Sequence, residues 1–221
     1  MLFRSGVDLK VISGDDPVTV SAIAKKAGLE NADKYIDATT ITTPEDMERA
    51  VAECSVFGRV TPQQKKEMVL ALQKQKHTVA MTGDGVNDAP ALKQADIGFA
   101  MGDGTAVAQE AGDVVILNNS LTSIKDCVLN SRTMAKSVGK FLIFQLTVNI
   151  STLLMNIIAP ILGWTEPFSI VQILWINLIM DTLAAMAFGG EPILNRYMNE
   201  QPAKRSDNIL TGYIKSAIGV S

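Results

Sequence analysis

The feature that most restricts what this chain can fold into is an uncharged stretch of 22 residues, Phe141 to Leu162 (FLIFQLTVNISTLLMNIIAPIL). As a helix rising about 1.5 Å per residue it reaches about 33 Å, enough to span the hydrocarbon core of a bilayer. A second run, Phe168 to Gly190 (FSIVQILWINLIMDTLAAMAFGG), follows a short turn and is broken by one acid, Asp181. The pair predicts two transmembrane helices, 141–162 and 168–190, joined as a hairpin. A buried helical hairpin in a large soluble protein is the alternative, but apolar runs of this length are rare there. Lys125, Arg132, Lys136 and Lys140 precede the hairpin and Arg196, Lys204 and Arg205 follow it, whereas the turn carries only Glu166. By the positive-inside rule both ends lie in the cytoplasm. Met1-Leu2-Phe3-Arg4 leads straight into mixed sequence, with no signal-peptide pattern.

A composition of 47% hydrophobic and 19% charged residues agrees with a part that avoids water. The net charge of -3 gives no clustered basic surface for nucleic acid, so membrane lipid is the expected large-scale partner. Cys54 and Cys127 are isolated and read as reduced, packed thiols. No internal repeat or low-complexity segment stands out.

Residues 1–120 alternate short apolar runs with helical patterns. Leu9 to Ile12, Ser55 to Phe57, Val79 to Met81, Ile97 to Ala100 and Val114 to Leu117 read as strands. Helices are expected at 17–28, 44–52, 61–75 and 88–94. The third has the clearest start: Thr61 as N-cap, Pro62 at the first position and Gln64 completing a capping box. Such alternation predicts an α/β fold, a parallel sheet with helices on both faces, and ligands at the carboxyl ends of its strands. Two loops leave strands there, Ser13-Gly14-Asp15 and Thr82-Gly83-Asp84.

Each loop offers a hydroxyl, a glycine that admits an anion close to the backbone, and an aspartate before a helix. Ser13 suits a phosphoryl oxygen and Asp84 suits Mg2+, which prefers oxygen ligands. Asn87 and Asp88 add an amide and a carboxylate, and Lys65 a positive charge. Asp-Gly and Asn-Asp pairs are also ordinary turn formers, and a lysine in a first helical turn is usually solvated. His77 reads as solvated, Trp164 as an interfacial anchor and Trp175 as a packing residue.

The stretch MTGDGVNDAPALKQADIGFAMGDGTAVAQEAGDVVIL, Met81 to Leu117, resembles the hinge signature of P-type cation-transporting ATPases. The resemblance extends over essentially the whole chain. It implies that 1–120 is the C-terminal part of a cytosolic HAD-like phosphorylation domain and 121–140 a stalk helix. The transmembrane hairpin is then 141–190, and 191–221 a cytosolic loop leading to a further membrane segment around Ile209 to Val220. In that family ATP phosphorylates the aspartate of an Asp-Lys-Thr-Gly-Thr motif, and hydrolysis of the acyl phosphate is coupled to ion movement. By resemblance Asp84 is the Mg2+ ligand, with Thr82, Gly83, Asn87 and Asp88 shaping the site. Ser13, Gly14 and Asp15 stand where the family has Thr-Gly-Asp around the phosphate, and Lys65 is its lysine. Asp-Lys-Thr-Gly-Thr occurs nowhere in the 221 residues, nor does a stretch long enough for the ATP-binding nucleotide domain. The resemblance therefore implies a fragment that is inactive alone and needs the N-terminal part of the pump as partner.

Polar residues inside a membrane are functional candidates because burying them in hydrocarbon is costly. Asn177 and Asp181 lie one turn apart on the second helix, and Asn149 at mid-depth on the first. The segment LWINLIMDTLAAMAF resembles the sixth helix of calcium pumps, most closely the plasma-membrane type. By that resemblance Asn177, Asp181 and Asn149 are Ca2+ ligands and the plasma membrane is the location. Thr152 stands where two-site pumps have glutamate, which implies one Ca2+ per cycle. For Thr152, Gln145 and Gln172, interhelical hydrogen bonding competes with ion contact. A pump for Na+, K+, H+ or Mg2+, or a non-catalytic membrane interaction protein, is the alternative.

Overall fold

The computed structural model describes residues 6–164 and 168–202. Glu166, Lys204, Arg205, Met1 to Arg4 and the expected segment around Ile209 to Val220 lie outside them. The chain divides into two compact units, Met1–Lys125 and Asp126–Ser221.

The first unit is α/β. Its order is β1 (Val11–Ile12), α1 (Pro17–Lys26), β2 (Tyr35–Asp37), α2 (Pro44–Glu53), β3 (Val56–Gly58), α3 (Pro62–Lys74), β4 (Ala80–Gly83), α4 (Ala89–Gln94), β5 (Ile97–Met101), α5 (Ala106–Ala111) and β6 (Val114–Ile116). All the strands pair in parallel, but in two three-stranded sheets, β1-β3-β2 and β4-β5-β6, where the pattern predicts one. Each sheet has an outer strand, β1 or β4, that bears a site loop and has no strand on its far side among the described residues.

Local chemistry sets the helix starts. Thr61 Oγ1 accepts from the Gln64 amide while the Gln64 side chain accepts from the Thr61 amide, as the capping-box pattern requires. Thr43 caps α2 and Asp16 caps α1, each ahead of a proline at the first turn. The expected 88–94 helix begins one residue later, preceded by a single 3-10 turn, Val86–Asp88. Strand β2 and helix α5 do not emerge from the sequence pattern. Both are short, and Tyr35-Ile36-Asp37 has only one apolar partner in the core, Ile36. Phe57, at the centre of β3, and Met68, on α3, are fully buried in a cluster with Met47 and Val51 of α2. Met81 and Leu92 anchor a second cluster with Val69 of α3. Helix α3 thus contributes to both cores.

The expected stalk and first span are one unbroken helix, α6 (Leu121–Ile161), 41 residues and about 60 Å long, all but its first five residues in the second unit. Nothing between Leu121 and Ala159 breaks helical geometry, since Pro160 lies in its last turn. The Trp164 amide donates to Ala159 O and closes the helix end. Helix α7 (Ile170–Gly189) starts at Ser169, which forms a reciprocal box with Gln172. Both helices are long and apolar enough to cross a membrane.

The segment after α7 folds back along α6. Glu191 accepts from Lys140 and from Ser137 Oγ, Glu200 accepts from Lys136, and Arg132 donates to the carbonyls of Tyr197 and Glu200. The Lys136 ammonium lies 4.1 Å from the centre of the Tyr197 ring. Arg132, Lys136 and Lys140, spaced about one turn apart on α6, together with Ser137 thereby hold the loop.

Candidate functional site

Asp84 ends up exposed at the carboxyl end of β4, and its carboxylate has no hydrogen bond or ion pair among the described residues. Its backbone is held from two directions. Asp88 Oδ2 accepts from the amides of Asp84 and Gly85 at 3.3 and 3.2 Å, and the Thr105 amide donates to Asp84 O at 2.8 Å. Residues Gly102 to Thr105 are pinned in turn by Gln109, whose Nε2 donates to Gly102 O and Gly104 O.

Asp88 is buried, and Lys65 Nζ donates to its Oδ1 at 2.6 Å. The two carboxylate oxygens therefore have separate tasks, one positioning the lysine and one holding the loop. Gly83 makes this possible, because a Cβ there would lie 2.5 Å from Asp88 Cβ and 2.9 Å from its Oδ2. The side chains of Thr82 and Asn87 are exposed beside the loop and make no hydrogen bonds among the described residues. The sequence offers Lys65 and Asp88 separately, but 23 residues apart they show no sign of being a pair. Their meeting depends on α3 packing against α4.

The other loop is closed by its own side chains and tied to the end of β3. Ser13 Oγ donates to Asp15 Oδ2 at 2.9 Å and accepts from the Asp15 amide at 3.2 Å, while the backbone of Gly14 is uncrowded. Arg59, absent from the sequence-based candidates, braces this loop: its amide donates to Asp15 O and its guanidinium forks to Asp16 and Asp37, both at 2.8 Å. Its position directly after Gly58, at a strand's carboxyl end, is the signal that could have singled it out. Hydrogen bonds from Thr39, and then the Arg59 charge, hold the Asp37 carboxyl below the usual carboxylate range. Among the described residues no hydrogen bond or ion pair joins Ser13 to Asp15 with Thr82 to Asp88. Lys65 reaches only the latter group.

In the hairpin the less exposed residues of α6 include Phe141, Gln145, Val148, Thr152, Asn156 and Ala159, and those of α7 include Ile173, Asn177, Asp181, Ala184 and Phe188. Their spacing of three and four defines one seam on each helix. Asn177 and Asp181 are on it; Asn149 is exposed, about 100° round from Val148. Among the described residues, none of Thr152, Gln145 and Gln172 makes the interhelical hydrogen bond that competes with ion contact. Thr152 Oγ1 donates to Val148 O of its own helix, Gln172 caps its own helix, and Gln145 Oε1 is buried with no partner. Asp181 Oδ1 is likewise buried without one. Trp175 is exposed on α7 rather than packed, and His77 is exposed as expected.

A family model described as haloacid dehalogenase-like hydrolase matches residues 2–96, and one described as cation transporting ATPase, C-terminus, matches residues 165–221. The plasma membrane-type calcium-transporting ATPase 8 of Arabidopsis thaliana is 39% identical over 217 residues, 94% of this chain and 20% of that protein. Calcium-transporting ATPase 1 of Bacillus cereus is 38% identical over 215 residues, covering 96% of this chain and 24% of that protein. The chain belongs to the P-type cation-transporting ATPases. The crystal structure of a zinc-transporting PIB-type ATPase in its E2.Pi state resembles it with a TM-score of 0.54 and 25% identity, over 86% of this chain and 24% of the other. The HAD-like parallel sheets and the apolar hairpin of this P-type ATPase chain are thus those of its family. Family and hairpin together place it in a membrane. The chain spans about a fifth to a quarter of the length of these curated relatives.

Proposed function

We propose that this chain is the Mg2+-holding half of a phosphoryl-transfer site, joined to the cation-binding hairpin of a Ca2+ pump of the plasma membrane. The observation that carries the reading is Asp84: an uncommitted carboxylate on a backbone fixed by Asp88 and Thr105. With Thr82 beside it, Asp84 presents the hard oxygen donors that Mg2+ takes, and the ion when bound would neutralise phosphoryl oxygens. Lys65, held by Asp88, supplies a fixed positive charge next to the same loop. Ser13 and Gly14 offer a hydroxyl and an uncrowded backbone to a phosphoryl oxygen. The phosphorylated aspartate and the ATP-binding domain then come from sequence outside these 221 residues, and the open sides of β1 and β4 fit a sheet that such sequence completes. Residues 1–120 would be part of the phosphorylation domain, 121–140 the stalk and 141–190 the transport hairpin.

For the cargo, Asn177 and Asp181 on the seam supply amide and carboxylate oxygens. No cysteine lies between residues 141 and 190, so the hairpin suits a hard cation such as Ca2+ better than Zn2+. The name of the Arabidopsis relative agrees.

The test replaces the corresponding segment of that relative by this chain and measures Ca2+ uptake into vesicles. Uptake is expected from the chimera and lost in Asp181→Ala, and the 221-residue chain alone is expected to form no acid-stable phosphoprotein with ATP, Mg2+ and Ca2+. Undiminished uptake in Asp181→Ala, or an aspartyl phosphate on the isolated chain, overturns the reading.

A further inference from the structure

Gln145 Oε1 and Asp181 Oδ1 share one property: each is a buried acceptor oxygen to which nothing among the described residues donates. Buried polar atoms are nearly always paired, so two orphans on one hairpin seam require a cause. Neither has a donor among the described residues of the hairpin. The charge of Asp181 has no internal remedy either, because residues 141 to 190 contain no Lys, Arg or His. A small cation satisfies either oxygen after a side-chain rotation alone, at a ligand distance of about 2.4 Å.

The two oxygens occupy different depths. The Phe144 and Phe188 rings are 6.1 Å apart, which brings these residues to about the same level on the antiparallel helices. Counting seven residues back from Phe188 and seven on from Phe144 puts Asp181 opposite Ser151. Gln145 is six residues before Ser151, about 9 Å nearer the end of the hairpin where Lys136 and Lys140 lie. By the positive-inside rule that end faces the cytoplasm. Gln145 therefore stands between the cytoplasmic mouth and the carboxylate.

We propose that Gln145 is a cation ligand, an oxygen station that a hard divalent cation occupies on the cytoplasmic side of Asp181. The proposal rests on the Ca2+-pump reading and adds a residue to its path. It assigns Gln145 a contact that a packing residue lacks, and it predicts an effect on apparent affinity rather than on turnover.

In the chimeric pump, uptake is measured against free Ca2+ on the cytoplasmic side. Gln145→Leu removes the oxygen at similar volume, and the half-saturating Ca2+ is expected to rise about tenfold with maximal uptake per pump unchanged. Gln145→Glu keeps an oxygen and adds charge, and half-saturation is expected to fall a few-fold. If Gln145→Leu does not accumulate in the membrane, Gln145→Glu decides alone. A half-saturation unmoved in the measured variants, or a loss of maximal uptake only, overturns the assignment while an inactive Asp181→Asn leaves the pump reading standing. Uptake that survives in Asp181→Asn, or a parent chimera that does not transport, removes the reading beneath it and the proposal with it.

Discussion

Asp88→Ala should loosen the Asp84 loop far more than it disturbs the rest of the first unit. The side chains of Lys65 and Asp88 are 17% and 10% exposed, so the pair is largely removed from water. Removing one partner of a fully buried pair costs about 3–5 kcal/mol; the residual water contact of Lys65 brings this to about 2–3 kcal/mol. The amides of Asp84 and Gly85 lose their acceptor as well, but water reaches both, which adds about 1 kcal/mol for the two. The sum, about 3–4 kcal/mol, corresponds to hydrogen exchange accelerated about a few hundredfold in β4 and α4. Both tryptophans, Trp164 and Trp175, belong to the second unit, so fluorescence does not report this event. Hydrogen exchange of the full chain in lipid nanodiscs, read by mass spectrometry, does. Lys65→Met combined with Asp88→Ala should be less harmful than the two single effects added, with a coupling of at least about 1.5 kcal/mol. Exchange within threefold of the parent, or a coupling below about 0.5 kcal/mol, refutes the reasoning that one carboxylate serves both charge and loop.

Two further outcomes follow from the geometry. Gly58→Ala places a Cβ 2.4 Å from Pro17 Cα, a backbone neighbour that cannot turn aside, and should destabilise the first unit by about 3 kcal/mol, seen as a lowered midpoint in urea by circular dichroism. The Lys140 hydrogen bond holds the Glu191 carboxyl below its ordinary 4.5; a depressed acid stabilises the fold above that value and loses this as pH falls through its lower native pKa. The loop after α7 should therefore release from α6 under acid. Glu191→Gln should expose it to proteolysis already at neutral pH, and equal cleavage in parent and variant would contradict this.

Much of the architecture follows from composition and period. An uncharged run as long as a bilayer is thick predicts a membrane-crossing helix over Phe141 to Leu162, because a single segment can satisfy its own backbone in hydrocarbon only as a helix. Thr61, Pro62 and Gln64 fix the start of α3 through atoms only three residues apart. Strand β2 was less legible, since three half-exposed residues carry too little periodicity.

The site divides along the same line. That Asp84 and Asp88 stand in a turn after a strand is local information, contained in Thr82 to Pro90. That Asp88 is buried under Lys65 while Asp84 faces water is decided by α3 packing on α4, which distinguishes two carboxylates the sequence leaves equivalent. In the hairpin, the residues that are polar can be read directly, but the seam selects among them. Helical phase turns Asn149 outward and Gln145 inward, so their access to the α6–α7 contact is a property of the pair of helices and of neither alone.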